Sequence, residues 1–182
     1  MKKLFIALAS VVMLSACAPT VIKGSLSTAT YEQIPVGATY SVLQGSQSLT
    51  DRHIEGLIRK EMDSRGFKYI DDPESASIAV GYTYAVGNGR MGVTSSPDFV
   101  WGGQKVESYT TYPRYFQIAL MDVPASLSKK KATYLWQAEI QSSGSMNNMS
   151  VLAESFVPEL FKDFGKNVTN DRFLIPTTVP LI

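Results

Sequence analysis

Two residue types that occur once each limit the chemistry this sequence can carry. Cys17 is the single thiol and His53 the single imidazole. One cysteine forms no internal disulfide and no thiolate metal cluster. One histidine leaves a Ser-His-Asp triad without a spare candidate and gives no multi-histidine metal site. His53 falls in the first turn of a predicted helix, where a solvent-facing side chain is the plain reading. Ser126-Leu127-Ser128-Lys129 matches the S-x-x-K spacing of a serine nucleophile, but the partner motifs S-D-N and K-T-G are missing from the sequence, and the segment reads as a hairpin tip. Gly87-Asn88-Gly89-Arg90-Met91-Gly92 fits G-x-G-x-x-G after a predicted strand. A dinucleotide site needs a helix to open there, whereas Val93 to Pro97 continues as a loop. Asp71, Asp72 and Glu74 lack the ligand pattern of a calcium loop and read as a charged turn, and Lys129-Lys130-Lys131 as a solvated hairpin end. No catalytic residue, metal ligand or cofactor is assigned.

The aromatic residues Phe99, Trp101, Tyr109, Tyr112 and Tyr115 cluster in and just after a long Gly-rich stretch. Aromatic side chains with polar handles dominate binding hot spots, so these five are the candidate partner-binding residues; the alternative is that they fold back over one sheet face as a lid.

Cys17 has a different chemistry available. Before it come Lys2 and Lys3, an apolar run from Leu4 to Leu14, and the small residues Ser15 and Ala16. That is the layout of a secretory signal. The apolar run is 11 residues long, and at about 1.5 Å per residue its helix falls well short of a hydrocarbon core roughly 30 Å thick. Leu14-Ser15-Ala16-Cys17 resembles the bacterial lipoprotein box, in which Leu14, Ser15 and Ala16 are read by the signal peptidase and the thiol of Cys17 takes a diacylglycerol. The expected processed chain runs from Cys17 to Ile182, and loss of Lys2 and Lys3 takes its net charge from +1 to −1. Palmitate-type acyl chains would then tie the protein to a membrane. The resemblance further implies that Ala18, which is not the Asp that retains such proteins in the inner membrane, sends this one to the periplasmic face of the outer membrane.

Composition and periodicity give the secondary structure around these residues. The 182 residues are 45% hydrophobic and 18% charged, a globular composition of single-domain size with no basic surplus for holding nucleic acid. Residues 18–37 read as a tether, because Thr, Ser, Gly and Pro dominate. Strands are expected at 38–43, 67–70, 77–86, 113–123 and 132–141. Helices are expected at 51–65, where Ile54, Leu57, Ile58 and Met62 share a stripe after the N-cap Thr50, and at 149–164, kinked or restarted at Pro158. Residues 87–112 show no sustained period and read as a loop. On the 77–86 strand one face is bulky and the other small, so a cover on both faces is expected.

Segmented in this way, the chain resembles the bacterial lipoprotein family catalogued as domain of unknown function 4136, over about residues 38–175. The carriers are Glu61-Met62-Asp63-Ser64-Arg65-Gly66-Phe67, Asp72-Pro73-Glu74-Ser75-Ala76-Ser77-Ile78-Ala79-Val80, Trp136-Gln137-Ala138-Glu139-Ile140-Gln141-Ser142-Ser143-Gly144, Phe161-Lys162-Asp163-Phe164-Gly165 and Asn170-Asp171-Arg172-Phe173. The resemblance implies an anchor and a fold, and no catalytic residue.

The resulting expectation has four parts: a signal peptide over 1–16, a lipidated tether over 17–37, one α+β domain over 38–175, and a tail over 176–182. The domain is expected to hold a mixed or antiparallel sheet of about five strands with two amphipathic helices packed on it. Its expected role is a non-enzymatic binding or scaffold module of the cell envelope, held to the membrane by its N-terminal acyl chains, with an envelope protein or a glycan as partner. An accessory subunit or regulator of an envelope assembly is the alternative reading, and a periplasmic hydrolase the third.

Overall fold

The computed structural model describes residues 20–43, 48–97 and 103–177. Cys17 and its recognition residues Leu14, Ser15 and Ala16 lie outside the described residues, as do Phe99 and Trp101.

Helix α1 (Leu49–Ser64) forms where the sequence places a stripe, two residues earlier than Thr50 suggests: Ser48 caps it, its hydroxyl accepting from the Asp51 amide at 3.0 Å. Ile54, Ile58 and Met62 are fully buried along that stripe. Helix α3 (Met149–Lys162) buries Leu152, Ala153, Phe156, Val157, Leu160 and Phe161 and runs unbroken through Pro158, against the expected restart. The proline ring sits on the exposed side, so no core contact is lost where its amide is missing.

Both helices pack on one face of a mixed sheet. The described residues form eight strands rather than about five, and three helices rather than two. The strands are β1 (Thr20–Thr30), β2 (Thr39–Val42), β3 (Lys68–Tyr69), β4 (Ile78–Val86), β5 (Arg90–Pro97), β6 (Gln104–Asp122), β7 (Tyr134–Gly144) and β8 (Val168–Thr177). They lie in the order β3-β2-β4-β6-β7-β1-β8, with β5 paired to the outer half of β6. β2 pairs in parallel with β3 and β4; every other pairing is antiparallel. Period-two alternation sends Leu26, Val80, Phe116, Ile118, Leu120 and Ile140 to the helix side, all fully buried.

Three expectations change here. The segment read as a tether is, from Thr20, strand β1, hydrogen-bonded on both edges between β7 and β8. Its Ser and Thr residues face the uncovered side or pair with neighbours, while Ile22 and Leu26 supply the core side. At Gly24 a side chain would collide with the Phe173 ring from the opposing strand, so the glycine opens the backbone to that aromatic. Within the segment read as a loop, residues 90–97 are strand β5 and residues 104–112 the start of β6, and the two pair as a two-stranded arm. The hairpin tip at 126–131 is helix α2 (Val123–Lys129), capped by Asp122 and ended by Lys130 at φ 51°.

Candidate functional site

With α1 and α3 both on the bulky side, no described element covers the opposite face of the sheet, contrary to the expected cover on both sides. Residues 79, 81, 83 and 85 of β4, 115, 117, 119 and 121 of β6, and 137, 139 and 141 of β7 point there by register. Tyr134 joins them, because a bulge between Met121 and Leu120 turns it away from the core and buries Leu135 in its stead.

The side chains on this face form an ordered polar array. The Tyr31 hydroxyl donates to the Gln137 carbonyl oxygen at 2.8 Å, and the Tyr115 hydroxyl to that of Gln117 at 2.9 Å. Each amide is thereby engaged through its oxygen, which leaves its NH2 as the remaining donor. Glu139 sits directly across from Gln117 in the β6–β7 register and accepts from the Gln141 amide at 3.2 Å. Burial, then the Glu139 charge, push the Tyr115 phenol above its ordinary range.

Around the array lie three shallow grooves. One of about 240 Å³ runs between Ser27, Tyr31, Gln137 and Thr169. A second of about 190 Å³ lies between Gly81, Met121 and Tyr134, and a third of about 350 Å³ lies beside Gly87, Pro113 and Tyr115. Gln117 lines the first two and its partner Tyr115 the third, so the grooves form one track across the sheet. Small side chains at Ser27, Ala29, Gly81, Ala85 and Ala119 make its floor.

At the end of this track the arm begins. β5 and residues 104–111 of β6 pair from Arg90↔Thr111 to Pro97↔Gln104. One side of the arm carries Met91, Val93 and Val106, which are 79%, 66% and 64% exposed. The other carries Arg90, Thr94, Tyr109 and the ion pair of Lys105 with Glu107 at 2.5 Å. Tyr109 covers Gly92, where a side chain would meet its ring. At the root of the arm Arg114 is only 5% exposed; its guanidinium lies over Gly144 and its Nε has no hydrogen-bond partner among the described residues. Burial lowers its pKa.

The sequence-predicted aromatics are therefore divided. Tyr109 stands on the arm, Tyr112 faces the opposite side of β6 against Gly89, and Tyr115 belongs to the polar array. Sequence reading missed Tyr31, Gln117, Gln137 and Glu139. Their signal was the alternation of polar and apolar residues along 115–121 and 136–141, which was used for the core side alone.

Asp51, which sequence reading did not single out, and several of the other candidates make contacts within the fold. Asp51 is 6% exposed, accepts from the Ser48 and Tyr84 hydroxyls at 2.7 and 3.0 Å, and ties α1 to β4. His53 Nε2 lies 3.5 Å from Glu154, bridging α1 to α3. The Ser126 hydroxyl donates to the Asp122 carbonyl and accepts from the Thr133 amide, fastening α2. Asp72 accepts from the Ser75 hydroxyl and the Glu74 amide, which hold its pKa below the ordinary value. The G-x-G-x-x-G segment is the three-residue join of β4 to β5 followed by the first three residues of β5, and the Gly87 amide donates to the Pro113 carbonyl at 2.8 Å. Among the described residues no three His, Cys, Asp or Glu side chains could hold a metal ion, and no helix is long and apolar enough to cross a membrane.

Comparison with known proteins gives one family. The model of the family described as "Domain of unknown function (DUF4136)" matches residues 26–164. Among solved structures, a PDZ domain protein from Parabacteroides distasonis superposes with a TM-score of 0.54 at 13% identity, over 92% of this chain and 42% of that one. The chain thus spans less than half of that protein, and the likeness is one of fold. A DUF4136 family protein from Bacteroides thetaiotaomicron gives 0.49 at 14% identity, over 76% of this chain and 94% of its own. PelC from Paraburkholderia phytofirmans, solved as a dodecamer, gives 0.42 at 13% identity, over 76% of this chain and 94% of its own. No curated protein matches the sequence.

Proposed function

This chain belongs to the DUF4136 family, and from that premise we propose that it is a lipid-anchored binding module of the bacterial envelope. In this reading Cys17 carries the acyl chains, the domain faces the periplasm from the outer membrane, and the uncovered sheet face binds a polyhydroxylated chain, a glycan. The anchor is supported by the Leu14-Ser15-Ala16-Cys17 box behind its charged and apolar leader.

The observation that carries the binding reading is the fixed donor and acceptor array of Gln117, Glu139 and Gln137. A protein interface is expected to centre on an apolar, aromatic core. This face offers amide donors and a carboxylate acceptor over small side chains, with Tyr115 and Tyr134 beside them, a combination that suits vicinal hydroxyls against a ring. Tyr31 and Tyr115 hold those amides in place before a ligand arrives, which reduces the ordering cost of binding. The role is one of holding, with no reaction step assigned to it.

Exchange of Gln117 and Gln137 for Ala tests this reading. Each net hydrogen bond is worth about 1 kcal/mol, so the double variant should bind soluble envelope glycan fragments roughly tenfold more weakly or worse by titration calorimetry. Both positions are half-buried at the surface, so the thermal midpoint should move little. Unchanged affinity in a folded double variant would remove the array as the binding site.

A further inference from the structure

We propose that the β5–β6 arm is a second membrane contact, laying Met91, Val93 and Val106 on the lipid leaflet that holds Cys17. The proposal rests on the lipid-anchor reading given above and deepens it.

Direction carries the argument. In the β6–β7 ladder Tyr112 is opposite Gly144, and residues 111 down to 104 continue beyond that end of the sheet. In the β1–β7 ladder Gly24 is opposite Ser142, so residues 23 down to 20 continue beyond the same end. The arm and the N-terminus therefore leave the sheet in one direction. Three peptide steps separate Thr20 from Cys17, which is at most about 10 Å of chain. The arm's eight residue pairs, from Arg90↔Thr111 to Pro97↔Gln104, extend about 25 Å. An acylated Cys17 holds this end of the sheet at the headgroups, within the length of the arm.

The arm's chemistry fits that place. Its aliphatic residues Met91, Val93 and Val106 lie on one side, and its charged residues Arg90, Lys105 and Glu107, with Tyr109, on the other. Such a division matches an element lying in the plane of the interface. Both long edges of the arm lack a strand partner among the described residues. Unpaired backbone amides are not tolerated in hydrocarbon, so the arm rests at headgroup depth and does not cross. Three exposed side chains are too few to hold a free protein on a bilayer. Attachment through Cys17 raises their effective concentration at the surface, and that confinement makes the contact persistent.

The test uses the mature acylated protein in phosphatidylethanolamine and phosphatidylglycerol vesicles. Because acylation occupies Cys17, an introduced cysteine is the sole reactive thiol. A nitrobenzoxadiazole label is placed by Val93→Cys, by Ser108→Cys beside Val93 in register, or by Lys129→Cys on α2 at the opposite end. Nitroxide lipids should remove roughly half or more of the emission at 93 and 108 and leave 129 unchanged, as for a surface-bound apolar stripe. Exchange of Met91 and Val106 for Ser should return the label at 108 to the behaviour of 129, while the protein still floats with the vesicles. Floating protein whose three labels respond alike overturns the arm contact and leaves the anchor standing. Protein that stays with the aqueous phase, with an unmodified Cys17 by intact mass, overturns the anchor and the arm contact together. Protection at 93 and 108 that survives without lipid quenching, and that crosslinks to another protein, overturns the lipid assignment in favour of a protein partner.

Discussion

At the scale of single residues, the helix side of the sheet keeps phenols in places where they are poor acids. Tyr82 donates to the Asp51 carbonyl at 3.3 Å, and burial, followed by the charge of Asp51, pushes its pKa up to about 12. Tyr40, fully buried against α1 and bonded to Asp63 at 2.8 Å, is raised further, first by burial and then by that bond. A phenol with a raised folded-state pKa contributes stability that is complete below its unfolded value, about 10, and is lost as pH climbs toward the folded value. The urea midpoint should therefore be flat up to about pH 9 and fall between about pH 10 and 12. Absorbance at 295 nm should show part of the nine tyrosines still protonated at about pH 11 in native protein and none of that delay in urea. A single transition near 10 for all of them in the folded state would contradict the packing of Tyr40 and Tyr82. Residue-scale function was hard to read from the chain for the same reason. A glutamine is unremarkable until a tyrosine far away in sequence, such as Tyr31 for Gln137, fixes its orientation.

Among the elements, those with strong periodicity were legible. The stripes of α1 and α3 and the alternation along 78–86 identify themselves, because one face of each is fully buried. β1 reads as a tether because its uncovered side is Lys, Ser and Ala beyond Val21 and its core side includes Gly24 and Thr28, so mean hydropathy is low although alternation is present. β5 was misread because both sides of the arm are exposed, and a solvated strand needs no buried period. α3 shows the reverse case, where core packing overrides a local breaker. Seven buried side chains hold the helix through Pro158, whose missing amide leaves the Glu154 carbonyl unbonded within the helix. Pro158→Ala should restore that bond without touching the core. Allowing for the greater freedom of the unfolded chain, it should stabilise by about 1–2 kcal/mol, read as a rise of roughly 2–6 °C in Tm. A lower Tm would mean that the ring itself is packed.

For the whole molecule, the family and the α+β class were legible in the sequence, whereas the extent of the sheet was not, because its outer pairings join residues more than a hundred positions apart. The anchor is a statement about this scale too. Cys17→Ala in cells should move the protein from the membrane to the soluble fraction without changing its urea midpoint, since no described core residue precedes Ile22. Fractionation and intact mass of the natural product check this; membrane retention of the Ala variant would assign the attachment elsewhere. One further consequence comes from the pairing of Thr20 with Thr177. The opening strand and the closing strand are neighbours, so a chain emerging from its N-terminal end waits for almost its full length before β1 gains its second edge. Assembly of this kind, dominated by distant pairings, is slow. Until then the open edge of β1 is a border with which another strand could pair.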